Sequence, residues 1–257
     1  FFLYCKEGWR ACQPHRLTFC RVRDTIMKTK GGTAMQLRTL LEIRHGLTAI
    51  IGGGGKTTLL YALAKECSMN ARVIVCTTTH ILKPSHLPCV LSGGEAEIQA
   101  ALEENSCVCV GTKSETGKFG APAISFERLL QLADYVFVEA DGSKHLPLKA
   151  HAGHEPVVPK EANQTILVLG VSGLGRPIRE AAHRPALYAK KLGVPEDAIV
   201  TPELAARLLE LEALHTRVLV NQVETEHELA LARKLAGYLH CPVAAGALQK
   251  ENVICLC

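Results

Sequence analysis

Four consecutive glycines followed by a lysine and two threonines, Gly52, Gly53, Gly54, Gly55, Lys56, Thr57 and Thr58, have the composition of a phosphate-binding loop. Glycines let backbone N–H groups turn inward with no Cβ in the way, and a helix that starts after them adds the positive end of its dipole. Lys56, read as an exposed loop lysine, then reaches a β/γ-phosphate pair, and Thr57 is the expected Mg²⁺ ligand. The apolar run Leu47 to Ile51 before the loop and the run Leu59 to Ala64 after it supply the buried strand and the helix that such a loop needs.

A second chemical group follows the apolar run Tyr135 to Val138, which ends in Glu139-Ala140-Asp141-Gly142. A carboxylate at the end of a strand parallel to the first faces the phosphates across from Lys56. There it holds Mg²⁺ directly or through water and orients an attacking water. Either Glu139 or Asp141 fits that role, and a simple turn at Asp141-Gly142 is the purely structural alternative. Thr77, Thr78, Thr79 and His80 close another candidate strand, so their hydroxyls and imidazole are expected at the same carboxyl edge, where open α/β sheets bind ligands. The stretch Gly142 to Pro159 is long for a connection and carries Lys144, Lys149, His151, His154 and Glu155. Its histidines match no metal-ligand spacing and are expected to face water, so anion binding by Lys144 and Lys149 is the favoured reading over a metal site. Cys107 and Cys109 alternate with Val108 and Val110, which places both thiols on one buried strand face.

To bring these residues together the chain needs a parallel sheet covered on both faces, and its pattern supplies one. Strands are expected over 47 to 51, 71 to 77, 106 to 111, 134 to 139, 165 to 170, 216 to 221 and 241 to 244. Helices are expected over 57 to 69, 94 to 104, 124 to 132, 183 to 192, 202 to 213 and 225 to 239, with a short one near residues 36 to 43. The fold class is therefore three-layer α/β/α, a single domain from 35 to 257. With 257 residues, 47% hydrophobic and 21% charged, the chain has the composition of a folded α/β protein. The basic excess behind the net charge of +4 lies in residues 1 to 34, which hold seven Lys/Arg against two Asp/Glu, leaving 22 against 23 in the rest. The remainder is neutral and offers no footprint for nucleic acid. Residues 1 to 34 show no periodicity and are expected to be upstream sequence or a loosely attached extension, with a partner-binding arm as the alternative. Eleven scattered cysteines read as reduced thiols of a cytoplasmic protein, and no apolar run reaches the roughly eighteen residues that span a bilayer.

The glycine loop departs from the G-x-x-x-x-G-K-[ST] pattern at Ile50 and matches the shorter G-G-x-G-K-T-T form. It thereby resembles the P-loop branch that includes metal-centre assembly GTPases and ParA/MinD-like ATPases, with Ile51 where the latter carry a second lysine. Asn221-Gln222-Val223-Glu224 is similar to the N-K-x-D base-recognition motif of GTPases. Here Gln222 replaces the lysine stem and Glu224 sets the carboxylate one methylene further out. A strand end with a helix cap is the other reading, and ATP and GTP both stay open.

Taken together, the run from Ile51 to Thr58, Thr77 to His80, Val138 to Lys144, Leu146 to Lys149, His154-Glu155-Pro156 and His183-Arg184-Pro185 resemble the selenium-dependent hydroxylase accessory proteins, the YqeC-like family. The similarity runs from about Met35 to Leu248. It implies a nucleotide-dependent role in maturing a molybdenum hydroxylase that needs a labile selenium, with His183 and Arg184 joining the substrate-facing set. A more distant similarity to assembly GTPases rests on the strand end E-x-x-G, Glu139 to Gly142. The expected activity is Mg²⁺-dependent nucleotide hydrolysis. The alternatives are a kinase or ligase acting on a small acceptor, and a nucleotide-gated binding module with little turnover.

Overall fold

Short apolar runs that alternate with amphipathic stretches fold as strands separated by helices, because each strand must bury two faces and each helix one. The computed structural model of the chain describes residues 36–79, 87–91, 94–113 and 119–256. The expectations placed on residues 1 to 34 and on His80 lie outside the described residues. In chain order the elements are α1 (Leu37–Leu40), β1 (Gly46–Gly52), α2 (Lys56–Cys67), β2 (Val73–Thr77), β3 (Cys89–Val90), α3 (Glu95–Glu104), β4 (Cys107–Val110), β5 (Thr112–Lys113), β6 (Phe119–Gly120), α4 (Phe126–Leu132) and β7 (Tyr135–Glu139). They continue with β8 (Leu148–Lys149), β9 (Ala162–Gly170), α5 (Ile178–Ala181), β10 (Ala182–His183), α6 (Pro185–Leu192), α7 (Pro202–Glu212), β11 (Arg217–Asn221), α8 (Glu226–Ala236), β12 (Val243–Ala247) and β13 (Asn252–Cys255).

Nine of the described strands form one sheet in the order β13-β12-β11-β9-β1-β7-β2-β4-β3. All neighbours run parallel except the β12–β13 pair. The strand carrying the glycine loop is thus central, between β9 and β7. Period-two alternation assigns each side chain to a face. Ile50, Val73, Val75, Tyr135, Phe137, Ile166 and Val168 face α1 and α2. Ala49, Ile51, Ile74, Cys76, Val136, Val138, Leu167 and Leu169 face the other layer, built from α3 to α8. The result is a three-layer α/β/α fold, as the alternation predicts.

The helix starts follow local rules. Ser125 and Thr201 cap α4 and α7 with their side chains, and Thr225 with Glu228 forms a capping box on α8. Cys107 and Cys109 share the α2 face, as their spacing predicts. Burial pushes the Cys107 thiol up to about 12. Six described cysteines are free, but Cys255 is disulfide-bonded, which corrects the expectation of thiols throughout. Among the described residues no helix is long and apolar enough to cross a membrane.

Candidate functional site

The parallel register sets the strand ends side by side. Ile50 of β1 lies opposite Glu139 of β7, and Thr77 of β2 lies opposite the same Glu139. The glycine loop leaves β1 at this edge and enters α2 at Lys56. Gly54 and Gly55 have φ of 71° and 129°, and a Cβ at either would meet the Gly170 backbone at 2.4 Å or Asn221 Nδ2 at 2.2 Å. Only glycine fits there. Three of the loop amides are taken up by the protein itself. The N–H groups of Gly52, Gly53 and Gly54 donate to Asp141 Oδ2 (3.0 Å), the Val168 carbonyl (2.9 Å) and the Leu146 carbonyl (3.1 Å). The amides at the start of α2, Lys56 to Thr58, are the ones an α-helix leaves without intrahelical acceptors.

Lys56 is buried, not an exposed loop lysine. Its Nζ donates to the Gly52 carbonyl at 2.8 Å and lies 3.4 Å from Asp141 Oδ1 and 3.8 Å from Glu139 Oε1. The Thr57 hydroxyl donates to Glu139 Oε2 at 2.8 Å. The loop cation, the loop hydroxyl and both strand-end carboxylates therefore converge at the amino end of α2. The two carboxylates are electrostatically distinct. Burial raises the pKa of Glu139 despite Lys56 and the Thr57 hydrogen bond. Burial acts in the same direction on Asp141, but the His151 hydrogen bond, Lys56, Lys149 and the Gly52 amide outweigh it and hold that carboxyl below its ordinary range. Such a split gives two neighbouring carboxylates different proton occupancies.

Asp141 is the hub of a buried ion network that extends well beyond the loop. Its Oδ2 lies 3.0 Å from Lys149 Nζ and 2.8 Å from His151 Nε2. His151 Nδ1 is 2.6 Å from Glu212 Oε2, and Glu212 Oε1 accepts from Lys191 at 2.7 Å. Burial disfavours a charged His151, yet its hydrogen bonds to Asp141 and Glu212 prevail and raise its pKa, which favours the imidazolium between the two carboxylates. Lys149 also bonds the Gly142 carbonyl (2.6 Å) and Glu155 Oε2 (2.8 Å), and Glu155 Oε1 accepts from Arg184 Nε at 2.6 Å. Lys149 and Glu155 are thus internal struts, not groups directed at an outside ligand.

The other expected site residues divide. Thr78 and Thr79 sit beside Glu139: the Thr78 N–H donates to the Glu139 carbonyl (3.1 Å), the Thr79 N–H donates to Thr77 Oγ1 (3.0 Å), and Thr78 Oγ1 is buried without a partner among the described residues. Asn221 is buried and spends its side chain on the protein. Its Nδ2 donates to the Gly54 carbonyl (2.8 Å) and its Oδ1 accepts from the Leu248 N–H (3.1 Å), which clamps the loop from β11. Glu224 is exposed and paired with Lys250. Gln222 holds left-handed backbone and accepts from Ser172. Lys144 is exposed, and His154 lies 3.3 Å from Arg184.

His151, Glu212 and Lys191 were not among the expected site residues. His151 reads as one more loop histidine, and Glu212 is 61 positions away on an ordinary amphipathic helix. Only the tertiary fold joins them. Among the described residues no group of three or more His, Cys, Asp and Glu is arranged to hold a metal. Thr57 and Glu139 offer a smaller all-oxygen set. That donor chemistry suits Mg²⁺, which keeps waters and substrate phosphates as its remaining ligands. Asp141 Oδ1 is buried without a hydrogen-bond partner among the described residues, 3.4 Å from Lys56 Nζ.

A family model described as "YqeC protein" matches residues 48–186, the span that carries the glycine loop, Glu139, Asp141, the connection after them and His183 to Arg184. The chain is also similar to an uncharacterized protein, YqeC, of Escherichia coli (strain K12), with 35% identity over 179 residues, 66% of this chain and 68% of that one. By both comparisons, this chain belongs to the YqeC family.

Proposed function

We propose that the protein is a P-loop nucleotide-binding protein that hydrolyses ATP or GTP with Mg²⁺. The observation carrying this is the convergence of Lys56, Thr57 and Glu139 at the amino end of α2, on the carboxyl edge of the central parallel strands. In this reading the phosphates lie on the α2 amides, and Lys56 swings from Gly52 and Asp141 to the β/γ-phosphates. Thr57 and Glu139 would hold Mg²⁺, which would supply charge neutralisation on the transferring phosphoryl group. Asp141 keeps Lys56 and the loop in register through its bond to the Gly52 amide. Glu139 also orients the attacking water.

Membership of the YqeC family, with the resemblance to selenium-dependent hydroxylase accessory proteins, supports a cytoplasmic role in which turnover drives maturation of a molybdenum hydroxylase or its cofactor. Thr78 and Thr79 beside Glu139, and the basic residues around Arg184, favour a second ligand next to the nucleotide. That feature keeps transfer to a small acceptor as the alternative to hydrolysis. The test is phosphate release from ATP and from GTP, with Mg²⁺, by the parent chain and by Glu139→Gln. Release should fall by at least about a hundredfold, the scale of losing a group that positions a reacting atom. Equal release by the two proteins removes Glu139 from the chemistry.

A further inference from the structure

At the pairing of β8 with β10, the charges of three basic side chains, Lys149, Arg184 and Lys144, act on one imidazole, His183. The pairing of β8 with β10 sets His183 in register with Lys149. His183 Nδ1 is buried and has no hydrogen-bond partner among the described residues. Burial lowers its pKa, and the charges of Lys149, Arg184 and Lys144 lower it further, with Glu155 the opposing influence. These influences favour the neutral ring.

The three cations differ in what they have left to offer. Lys149 is fully buried and committed to Asp141, Glu155 and the Gly142 carbonyl. Arg184 gives Nε to Glu155, its side chain is 34% exposed, and the rest of its guanidinium edge extends toward His154. Lys144 is exposed and has no carboxylate partner among the described residues. Lys144, His145 and Arg184 all hold left-handed backbone, with φ of 50°, 62° and 63°. Residues with long side chains rarely adopt that conformation unless the surroundings enforce it, and such positions cluster at ligand sites.

Lys144 without a carboxylate partner, the spare guanidinium edge of Arg184 and an unpartnered ring nitrogen have one common remedy, an oxyanion. It accepts hydrogen bonds from Arg184 and Lys144 and makes His183 a better proton holder. We infer that His183, Arg184 and Lys144 form an oxyanion subsite for the carboxylate or phosphate group of a small second ligand. The inference deepens the proposed function by giving the acceptor a chemical class, and it rests on that reading only for the presence of nucleotide alongside. A continuous chain of ion pairs, Arg184 to Glu155, Glu155 to Lys149 and Lys149 to Asp141, ties this subsite to the carboxylate that faces Lys56. Filling it therefore changes the charge balance at the nucleotide end.

The experiment titrates inorganic phosphate, and separately acetate, into the full chain while following the His183 ring resonances, assigned with His183→Gln. At least one of the two anions should move the His183 signals beyond what chloride at equal ionic strength does, and the one that acts more strongly identifies the ligand group. The shift should persist with Mg·ADP present. Arg184→Gln and Lys144→Ala should each weaken the effect about tenfold, the loss expected for one hydrogen bond to a charged group. The inference is overturned if neither anion moves the His183 signals. It is also overturned if Mg·ADP abolishes the shift, which places the anion on the glycine loop, or if both variants respond as the parent does. A chain that fails to bind ADP removes the nucleotide reading, and the phosphate and acetate titrations and their variants still decide this one.

Discussion

At the scale of single residues, Asp141 differs most from its sequence appearance. From its place at a strand end before a glycine it reads as a metal-binding carboxylate or a turn former, with no sign that it supports the core. In the structure it is fully buried against Lys56, Lys149 and His151. Asp141→Asn leaves these cations without their counter-charge, so it should cost about 3 kcal/mol of stability, the scale of removing one partner from a buried pair. Glu139→Gln should cost far less, because Glu139 is already pushed toward its neutral form by burial. Denaturant midpoints of the two variants check the ranking, and a larger loss in Glu139→Gln contradicts it. The same network sets a pH dependence. The folded pKa of His151 lies above its ordinary value of 6.5, so its stabilisation is complete below that pH and is lost as pH rises through the folded value. Asp141, Glu155 and Glu212 have folded values below their ordinary 3.8 to 4.5, so their contributions are present above that range and are lost as pH falls through the folded values. Glu139 opposes them by favouring its protonated form. Melting temperature should therefore be highest in mildly acidic buffer and fall on the alkaline side, and His151→Gln should flatten that alkaline decline. A decline as steep in the variant as in the parent would assign it to other groups.

At the scale of elements, the glycine loop is held by its neighbours as much as by its own geometry. Asn221 from the end of β11, Gly170 from the end of β9 and Leu146 from the long connection all touch it. Gly54→Ala puts a Cβ 2.4 Å from the Gly170 backbone and forces an alanine into φ 71°. The variant should lose about 1–3 kcal/mol, the usual cost of overpacking, along with phosphate affinity. Gly142→Ala, with nothing within 4 Å of the added atom, should melt like the parent. Thermal unfolding of the pair distinguishes a clamped loop from a generally glycine-tolerant edge. The main strands and helices were legible because each strand alternates between two buried faces and each long helix carries an apolar stripe. β13 was not, since Asn252 to Cys255 is short, half-exposed and antiparallel at the sheet edge. The two-residue pairing of β8 with β10 was also invisible, because Leu148 and Ala182 belong to distant loops. In the site, residue types and strand ends identified Lys56, Thr57, Glu139 and Asp141. Their burial, and the partnership of His151 with Glu212, depend on long-range contacts that no local pattern encodes.

At the scale of the whole molecule, the sheet order places β1 between β7 and β9, so the loop, the two carboxylates and the clamping asparagine all meet at one carboxyl edge. From there the ion network runs outward to α6 and α7, through Lys191 and Glu212, and to Arg184 through Glu155. The central claim is that the α2 amides, Lys56, Thr57 and Glu139 bind a Mg²⁺ nucleotide. Calorimetric titration of the full chain with ATP and with GTP, each with Mg²⁺ and with a chelator, tests it most directly. The account predicts saturable binding of at least one nucleotide, weakened by the chelator and by Thr57→Val. Absence of saturable binding by both nucleotides in a chain that melts cooperatively would contradict it.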